Sequence, residues 1–210
     1  MNAEEICRLA PVIPVLTIRD ARLAAPLARA LSAGGLRALE VTLRTPAALE
    51  AIRAMAAAAP DAVVGAGTLT RPDQVAQAVE AGARFGVSPG ATPALMEAAR
   101  AAGLPLLPGV ATPSEAMAAM ERGFTTLKFF PAEVNGGVAA LSAWAAPLAG
   151  LKFCPTGGIT RANARDYLAL SNVLCVGGSW VAPADLVAAE DWRAITRLAA
   201  EAAALRPAAA

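Results

Sequence analysis

Short β-like runs alternate with longer Ala-rich helical runs along the whole chain, and this alternation is the dominant pattern. Strands are predicted near Val12–Thr17, Ala38–Leu43, Ala62–Gly67, Phe85–Ser88, Pro105–Gly109, Thr126–Phe130, Lys152–Pro155 and Val173–Gly177. Helices are predicted between them, near Ala21–Ala33, Pro46–Ala58, Pro72–Ala81, Pro93–Ala102, Pro113–Arg122, Val138–Ala146 and Arg161–Leu170. A last helix is predicted over Asp191–Leu205, and Ala3–Leu9 reads as a short lid helix at the front. Thr45-Pro46, Thr92-Pro93 and Thr112-Pro113 each place a capping hydroxyl before a first-turn proline, whereas Arg71-Pro72 has the proline without the cap. Gly34-Gly35, Gly82, Gly103 and Gly123 close helices. Eight strands each followed by a helix, with no Ser/Gly/Pro-rich linker, predict an α/β fold: one (β/α)8 TIM barrel spanning residues 1–210. A doubly wound open sheet is the rival architecture.

Period-two alternation assigns faces within these strands. In Leu39-Glu40-Val41-Thr42-Leu43-Arg44 the aliphatic odd positions suit packing under helices, so Glu40, Thr42 and Arg44 point into the barrel. Charges on an inner face are costly unless paired or used. A structural Glu40–Arg44 ion pair is the plain explanation; participation in chemistry is the other. In Thr126-Leu127-Lys128-Phe129-Phe130, Lys128 shares its face with Thr126 and Phe130.

Composition sharpens the interest in Lys128. Of 18 basic residues only Lys128 and Lys152 are lysines; the rest are arginines. An amine can lose its proton and attack a carbonyl, which a guanidinium cannot do, and an apolar setting favours the neutral amine. Alternatively Lys128 ends a strand and snorkels to water, or pairs with a buried carboxylate. Lys152 opens its strand and belongs at the opposite, exposed rim.

Other chemistries are narrowed by what the chain lacks. It has no histidine, which removes Ser-His and Cys-His nucleophiles and the commonest zinc sites. An oxygen-only magnesium site stays open, but no tight acidic cluster is present to form one. A net charge of +1 without blocks of like charge, and 4% aromatics, argue against nucleic-acid binding. The N-terminal run MNAEEICRLAP is not a secretory signal, and no apolar run approaches membrane-spanning length. Cys7, Cys154 and Cys175 are widely spaced and odd in number, which predicts reduced, buried thiols in a cytoplasmic protein.

The last two strands end in Thr156-Gly157-Gly158 and Gly177-Gly178-Ser179. Paired glycines there let backbone N–H groups converge on an anion, at the position where this fold holds phosphate. Gly65-Ala66-Gly67-Thr68 lacks dinucleotide spacing and reads as a strand end offering a threonine hydroxyl; Ser88-Pro89-Gly90 reads as a turn near the mouth.

The segments Gly35-Leu-Arg-Ala-Leu-Glu40-Val-Thr-Leu-Arg44 and Gly123-Phe-Thr-Thr-Leu-Lys128-Phe-Phe-Pro-Ala-Glu-Val-Asn-Gly136 resemble both signatures of the KDPG/KHG aldolases. The likeness runs from Pro11 to Trp180. It implies Lys128 as the Schiff-base lysine and Glu40 as the proton donor and acceptor. It further implies Arg44, Thr68 and Phe130 around the pyruvate moiety, and Thr156 at the position linked to stereochemical choice. Gly157, Gly158, Gly178 and Ser179 would hold the phosphate. Expected substrates are a phosphorylated keto acid and pyruvate, with no metal or organic cofactor, in a homotrimer of barrels. Within the family, Cys154-Pro155-Thr156-Gly157-Gly158 resembles the enzymes that cleave 2-keto-3-deoxy-6-phosphogluconate; 4-hydroxy-2-oxoglutarate and the galactonate epimer are sibling substrates. Two readings from other classes are a phosphosugar isomerase or epimerase on the same barrel, and a phosphate-ligand sensor with a structural Lys128–Glu40 bridge.

Overall fold

Residues 1–205 are described in a computed structural model. The strands are β1 (Val12–Leu16), β2 (Ala38–Thr42), β3 (Val63–Gly67), β4 (Gly86–Val87), β5 (Leu106–Leu107), β6 (Gly109–Val110), β7 (Thr126–Phe129), β8 (Lys152–Pro155) and β9 (Val176–Gly178). The helices are α1 (Ala3–Cys7), α2 (Ala24–Ala33), α3 (Ala48–Ala58), α4 (Pro72–Glu80), α5 (Pro93–Ala101), α6 (Pro113–Glu121), α7 (Gly137–Trp144), α8 (Ala164–Leu168), α9 (Ala184–Ala188) and α10 (Trp192–Ala203). The architecture is α/β. Six parallel strands in the order β5-β4-β3-β2-β1-β9 form a curled half-barrel, and β6-β7-β8 form a second parallel sheet. Isolated bridges join Phe153 to Val173 and Thr156 to Gly177, between the β8 and β9 segments.

Several boundaries differ from the sequence pattern for local reasons. The strand predicted over Pro105–Gly109 is split at Pro108, which has no N–H to give to a ladder, although its carbonyl still accepts from Lys128 N–H at 3.0 Å. Thr45 does not cap α3. Its hydroxyl donates to the Ile18 carbonyl, and the helix starts at Ala48 with no side-chain cap. Thr92 and Thr112 do cap, accepting from Leu95 N–H at 3.2 Å and Glu115 N–H at 3.3 Å. The predicted Ala21–Ala33 helix begins as a 3-10 turn, Ala21–Leu23, capped by Asp20. The short helix α9 had no counterpart in the sequence reading.

The helix–sheet layer is built from outward positions, with Leu39, Val41, Leu127 and Phe129 all 0% exposed. Each such side chain contributes about 1.5–3 kcal/mol by leaving water. Trp144 of α7 meets Phe129 edge-on at 5.1 Å between ring centroids and Phe153 at 5.8 Å, which fixes β7 and β8 from outside. A second cluster fills the interior enclosed by the two sheets: Ile6 and Cys7 of α1 with Ile13, Val63, Phe85 and Cys154, among others. The front helix is thus a buried plug rather than a lid. Gly65 makes this packing feasible, because a Cβ there would overlap the Phe85 ring.

Candidate active site

Strand pairing places the reactive groups. Lys128 of β7 stands in register with Gly109 on one side and Cys154 on the other, and Glu40 of β2 with Val15 and Gly65. Inward alternation then brings β2 and β7 face to face: Lys128 Nζ lies 3.5 Å from Glu40 Oε1, with side chains only 5% and 4% exposed. The structural Glu40–Arg44 ion pair, the plainer of the two explanations, does not form. Arg44 Nε instead donates to Thr68 Oγ1 at 3.0 Å.

Glu40 fits its pocket because Gly67 has no side chain; a Cβ there would overlap the carboxylate. Burial pushes the Glu40 carboxyl above its ordinary range, opposed chiefly by the Lys128 charge and, more weakly, by Arg44. Its Oε1 accepts no hydrogen bond from any described residue. A buried oxygen left this way is costly, and it is available to exchange protons with a bound molecule. Thr42, also inward, is structural: its hydroxyl donates to the Leu16 carbonyl at 2.9 Å.

Around the amine, Nζ sits 5.0 Å from the centroid of the Phe130 ring, in cation–π range. The Phe130–Pro131 peptide is cis. Thr68 has a left-handed backbone, φ 61°, unusual for a non-glycine residue, and holds its hydroxyl against Arg44. Thr156 is 7% exposed, with Oγ1 packed over the Gly177 Cα. Gly157 and Gly158 are left-handed, φ 97° and 81°, so glycine is required at both. Among the described residues, the N–H groups of Gly157, Gly158 and Ser179 donate to no backbone carbonyl. The Thr156–Gly177 bridge sets these two strand ends side by side. Ser179 also lines a cavity of about 490 Å³ with Arg19, Trp180 and Leu27.

The structure therefore gathers buried Lys128 and Glu40 with half-buried Phe130 into one group and Arg44 with Thr68 into a neighbouring pair. Thr156, Gly157, Gly158, Gly178 and Ser179 occupy adjoining strand ends. Lys152 lies at the opposite rim, donating to the Ser171 carbonyl at 3.0 Å. Ser88 is wholly buried and accepts from Gly109 N–H at 3.3 Å, a turn-fixing role. Sequence reasoning missed Gly65 and Gly67, whose signal was glycine at alternate, inward positions of one strand. It also missed the proximity of Cys154 to Lys128, which only the strand register discloses.

A buried amine set against a buried carboxylate, on the inward faces of parallel strands in an α/β fold, marks a carbon–carbon lyase of the class I, Schiff-base type. The chain belongs to the KDPG and KHG aldolase family, whose model matches residues 3–198. It is 54% identical over 201 residues to the KHG/KDPG aldolase of Escherichia coli K12, covering 96% of this chain and 94% of that one. The 2-keto-3-deoxy-6-phosphogluconate aldolase of Zymomonas mobilis superposes with a TM-score of 0.95 at 50% identity, covering 100% of both chains. The Legionella pneumophila KDPG aldolase, with pyruvate captured as a covalent carbinolamine, superposes with a TM-score of 0.94 at 44% identity, covering 97% of this chain and 98% of that one. The isomerase and sensor readings give way to lyase chemistry. No helix among the described residues is long and apolar enough to cross a membrane.

Proposed function

We propose that this aldolase reversibly cleaves 2-keto-3-deoxy-6-phosphogluconate to pyruvate and D-glyceraldehyde 3-phosphate through an imine on Lys128. The observation that carries the reading is the 3.5 Å Lys128–Glu40 pair, both side chains almost wholly buried. Neutral Lys128 attacks the C2 ketone to give a carbinolamine, and loss of water, proton-assisted by Glu40, gives an iminium. Glu40 then takes the proton of the C4 hydroxyl. The C3–C4 bond breaks, its electrons pass into the iminium to form an enamine, and glyceraldehyde 3-phosphate departs. Protonation of the enamine at C3 by Glu40 and hydrolysis release pyruvate and restore the amine.

Arg44, oriented by Thr68, would neutralise the substrate carboxylate, with Phe130 packed beside the pyruvate moiety. The left-handed Gly157-Gly158 turn and the Gly178-Ser179 strand end would hold the phosphate through backbone N–H groups. Thr156 would contact the hydroxyl next to the scissile bond. The same reading treats residues 1–210 as one catalytic domain in which Pro108 interrupts a single strand and the bridges beside β8 close an eight-stranded barrel. It also takes the enzyme to be a cytoplasmic homotrimer, which sedimentation would test.

Borohydride reduction in the presence of pyruvate, followed by peptide mapping, tests the centre of this reading. The expected product is a pyruvyl adduct on Lys128; modification elsewhere, or none, would reject it. The unprotected N–H groups at Gly157, Gly158 and Ser179 favour a phosphorylated substrate over 4-hydroxy-2-oxoglutarate. Comparing kcat/KM on these two and on the galactonate epimer separates the siblings.

A further inference from the structure

Two residues without an assigned role meet beside the glycine turn. Tyr167, on α8, is the only tyrosine in the chain and is 0% exposed. Its hydroxyl donates to Oε1 of Glu133, which lies in the loop after β7 and is otherwise exposed. The stem of Glu133 lies across Gly158: a Cβ at that glycine would stand 2.7 Å from Glu133 Cβ and overlap Cγ. Gly137 makes room for the pair, since a Cβ there would come within 2.9 Å of the Tyr167 hydroxyl and 3.3 Å of Glu133 Oε1. The backbone completes the arrangement. Glu133 N–H donates to the Gly157 carbonyl at 3.1 Å and Ala132 N–H to that of Thr156 at 2.8 Å. On the other side, Asn163 Nδ2 donates to the Gly158 carbonyl at 3.1 Å.

A mobile carboxylate beside an anion site repels the anion, and a turn of two left-handed glycines has little stiffness of its own. A buried phenol that grips the carboxylate answers both problems. We propose that Tyr167 and Glu133 are positioning residues: Tyr167 ties the Glu133 carboxylate down, and the Glu133 stem holds the Gly157-Gly158 turn in the shape that receives the substrate phosphate. This rests on the reading above that assigns the phosphate to that turn. Burial and the neighbouring carboxylate push the Tyr167 hydroxyl up from its ordinary range, so it remains a donor at working pH.

The test compares a phosphorylated substrate, 2-keto-3-deoxy-6-phosphogluconate, with an unphosphorylated one, 4-hydroxy-2-oxoglutarate. In Tyr167→Phe, KM for the phosphorylated compound is expected to rise about tenfold at nearly constant kcat, the scale of one lost buried hydrogen bond. KM for the unphosphorylated compound should stay within about twofold. Glu133→Ala should behave like Tyr167→Phe, and Glu133→Gln, whose amide oxygen still accepts from the phenol, should recover most of the loss. If Tyr167→Phe does not fold, the Glu133→Ala and Glu133→Gln comparison carries the test. Equal changes for both substrates, or a lowered Tm with both KM values unmoved, overturn the proposal and leave the pair purely structural. Alkaline difference absorbance adds an independent readout, because the single tyrosine signal belongs to Tyr167. Ionisation near the free-tyrosine value of about 10 in the folded enzyme would also overturn it. Pyruvate trapping on Lys128 in the unaltered enzyme keeps the two readings apart: its failure rejects the imine mechanism, whereas the KM contrast rejects only the clamp.

Discussion

Lys128 Nζ and Glu40 Oε1 are 3.5 Å apart, brought together from β7 and β2 of the two sheets. Each is the nearest opposite charge available to the other, so substitutions separate their roles. Lys128→Arg retains a positive charge but cannot form an imine. Its turnover is expected to fall at least about 10⁴-fold, with no pyruvyl adduct after borohydride. Glu40→Gln retains the amine, and is expected to keep a trappable adduct while kcat falls about 10²–10⁴-fold, the usual contribution of a positioned acid–base group. A Glu40→Gln enzyme with wild-type kcat would remove Glu40 from the proton path.

The same carboxylate makes a pH-dependent contribution to stability. Its pKa in the folded protein is raised by burial. From the unfolded value of about 4.3 up to that raised value, the folded state therefore holds a proton that the unfolded chain has lost. Stability attributable to Glu40 is full below this window and declines as pH climbs through it. Thermal unfolding from pH 4 to pH 8 is expected to show this decline in the native enzyme and a flatter profile in Glu40→Gln. The acid limb of the kcat/KM profile should lie above the ordinary carboxylate range for the same reason.

Much of this centre was legible in the sequence because it depends on alternation. Glu40 and Lys128 declare their inward faces through the aliphatic residues on either side, and an arginine-rich chain made an isolated lysine conspicuous. What could not be read was the partner of each group. Arg44 is two positions beyond inward-facing Thr42, so pairing with Glu40 was reasonable, but only the β2–β3 neighbourhood brings Thr68 to its guanidinium. Likewise Glu133 and Tyr167 are separated by 34 residues, and no local pattern joins them. Strand breaks were hidden for another reason: Pro108 keeps extended geometry while losing the hydrogen bond that defines a ladder.

Gly67 isolates the steric requirement. Gly67→Ala would drive its methyl into the Glu40 carboxylate. Overpacking of this type costs about 1–3 kcal/mol. A lower Tm is expected together with a loss of kcat resembling that of Glu40→Gln. If the variant is destabilised but keeps its kcat, the Glu40 carboxylate shifts aside without leaving the proton path, and the steric requirement at Gly67 is one of stability alone.

The three cysteines report on the floor of the interior. Cys7, Cys154 and Cys175 are free and buried beneath the amine, with α1 closing the end. Thiol titration with a bulky aromatic disulfide reagent is expected to find no fast-reacting group in the native enzyme and all three after denaturation. Rapid labelling of Cys7 alone would mean that α1 swings away from the floor.

Thr156 offers the sharpest test of selectivity, because its backbone is fixed independently of its side chain. Its N–H donates to the Phe129 carbonyl at 2.9 Å, and its carbonyl accepts from Ala132 N–H at 2.8 Å. Replacing the hydroxyl by a methyl in Thr156→Val therefore leaves the strand end in place and changes what the side chain offers a substrate. A buried site that loses a hydrogen-bonding group usually loses about 1–3 kcal/mol with the ligand that needed it. Discrimination between 2-keto-3-deoxy-6-phosphogluconate and its galactonate epimer, measured as a ratio of kcat/KM, is expected to narrow about tenfold or more. Thr156→Ser should preserve the ratio. Pyruvate, which has no hydroxyl at that position, should still form its adduct with Lys128 in both variants. An unchanged ratio accompanied by equal losses on the two epimers would place the hydroxyl's role in general architecture, packed over Gly177, and move stereochemical choice to another residue.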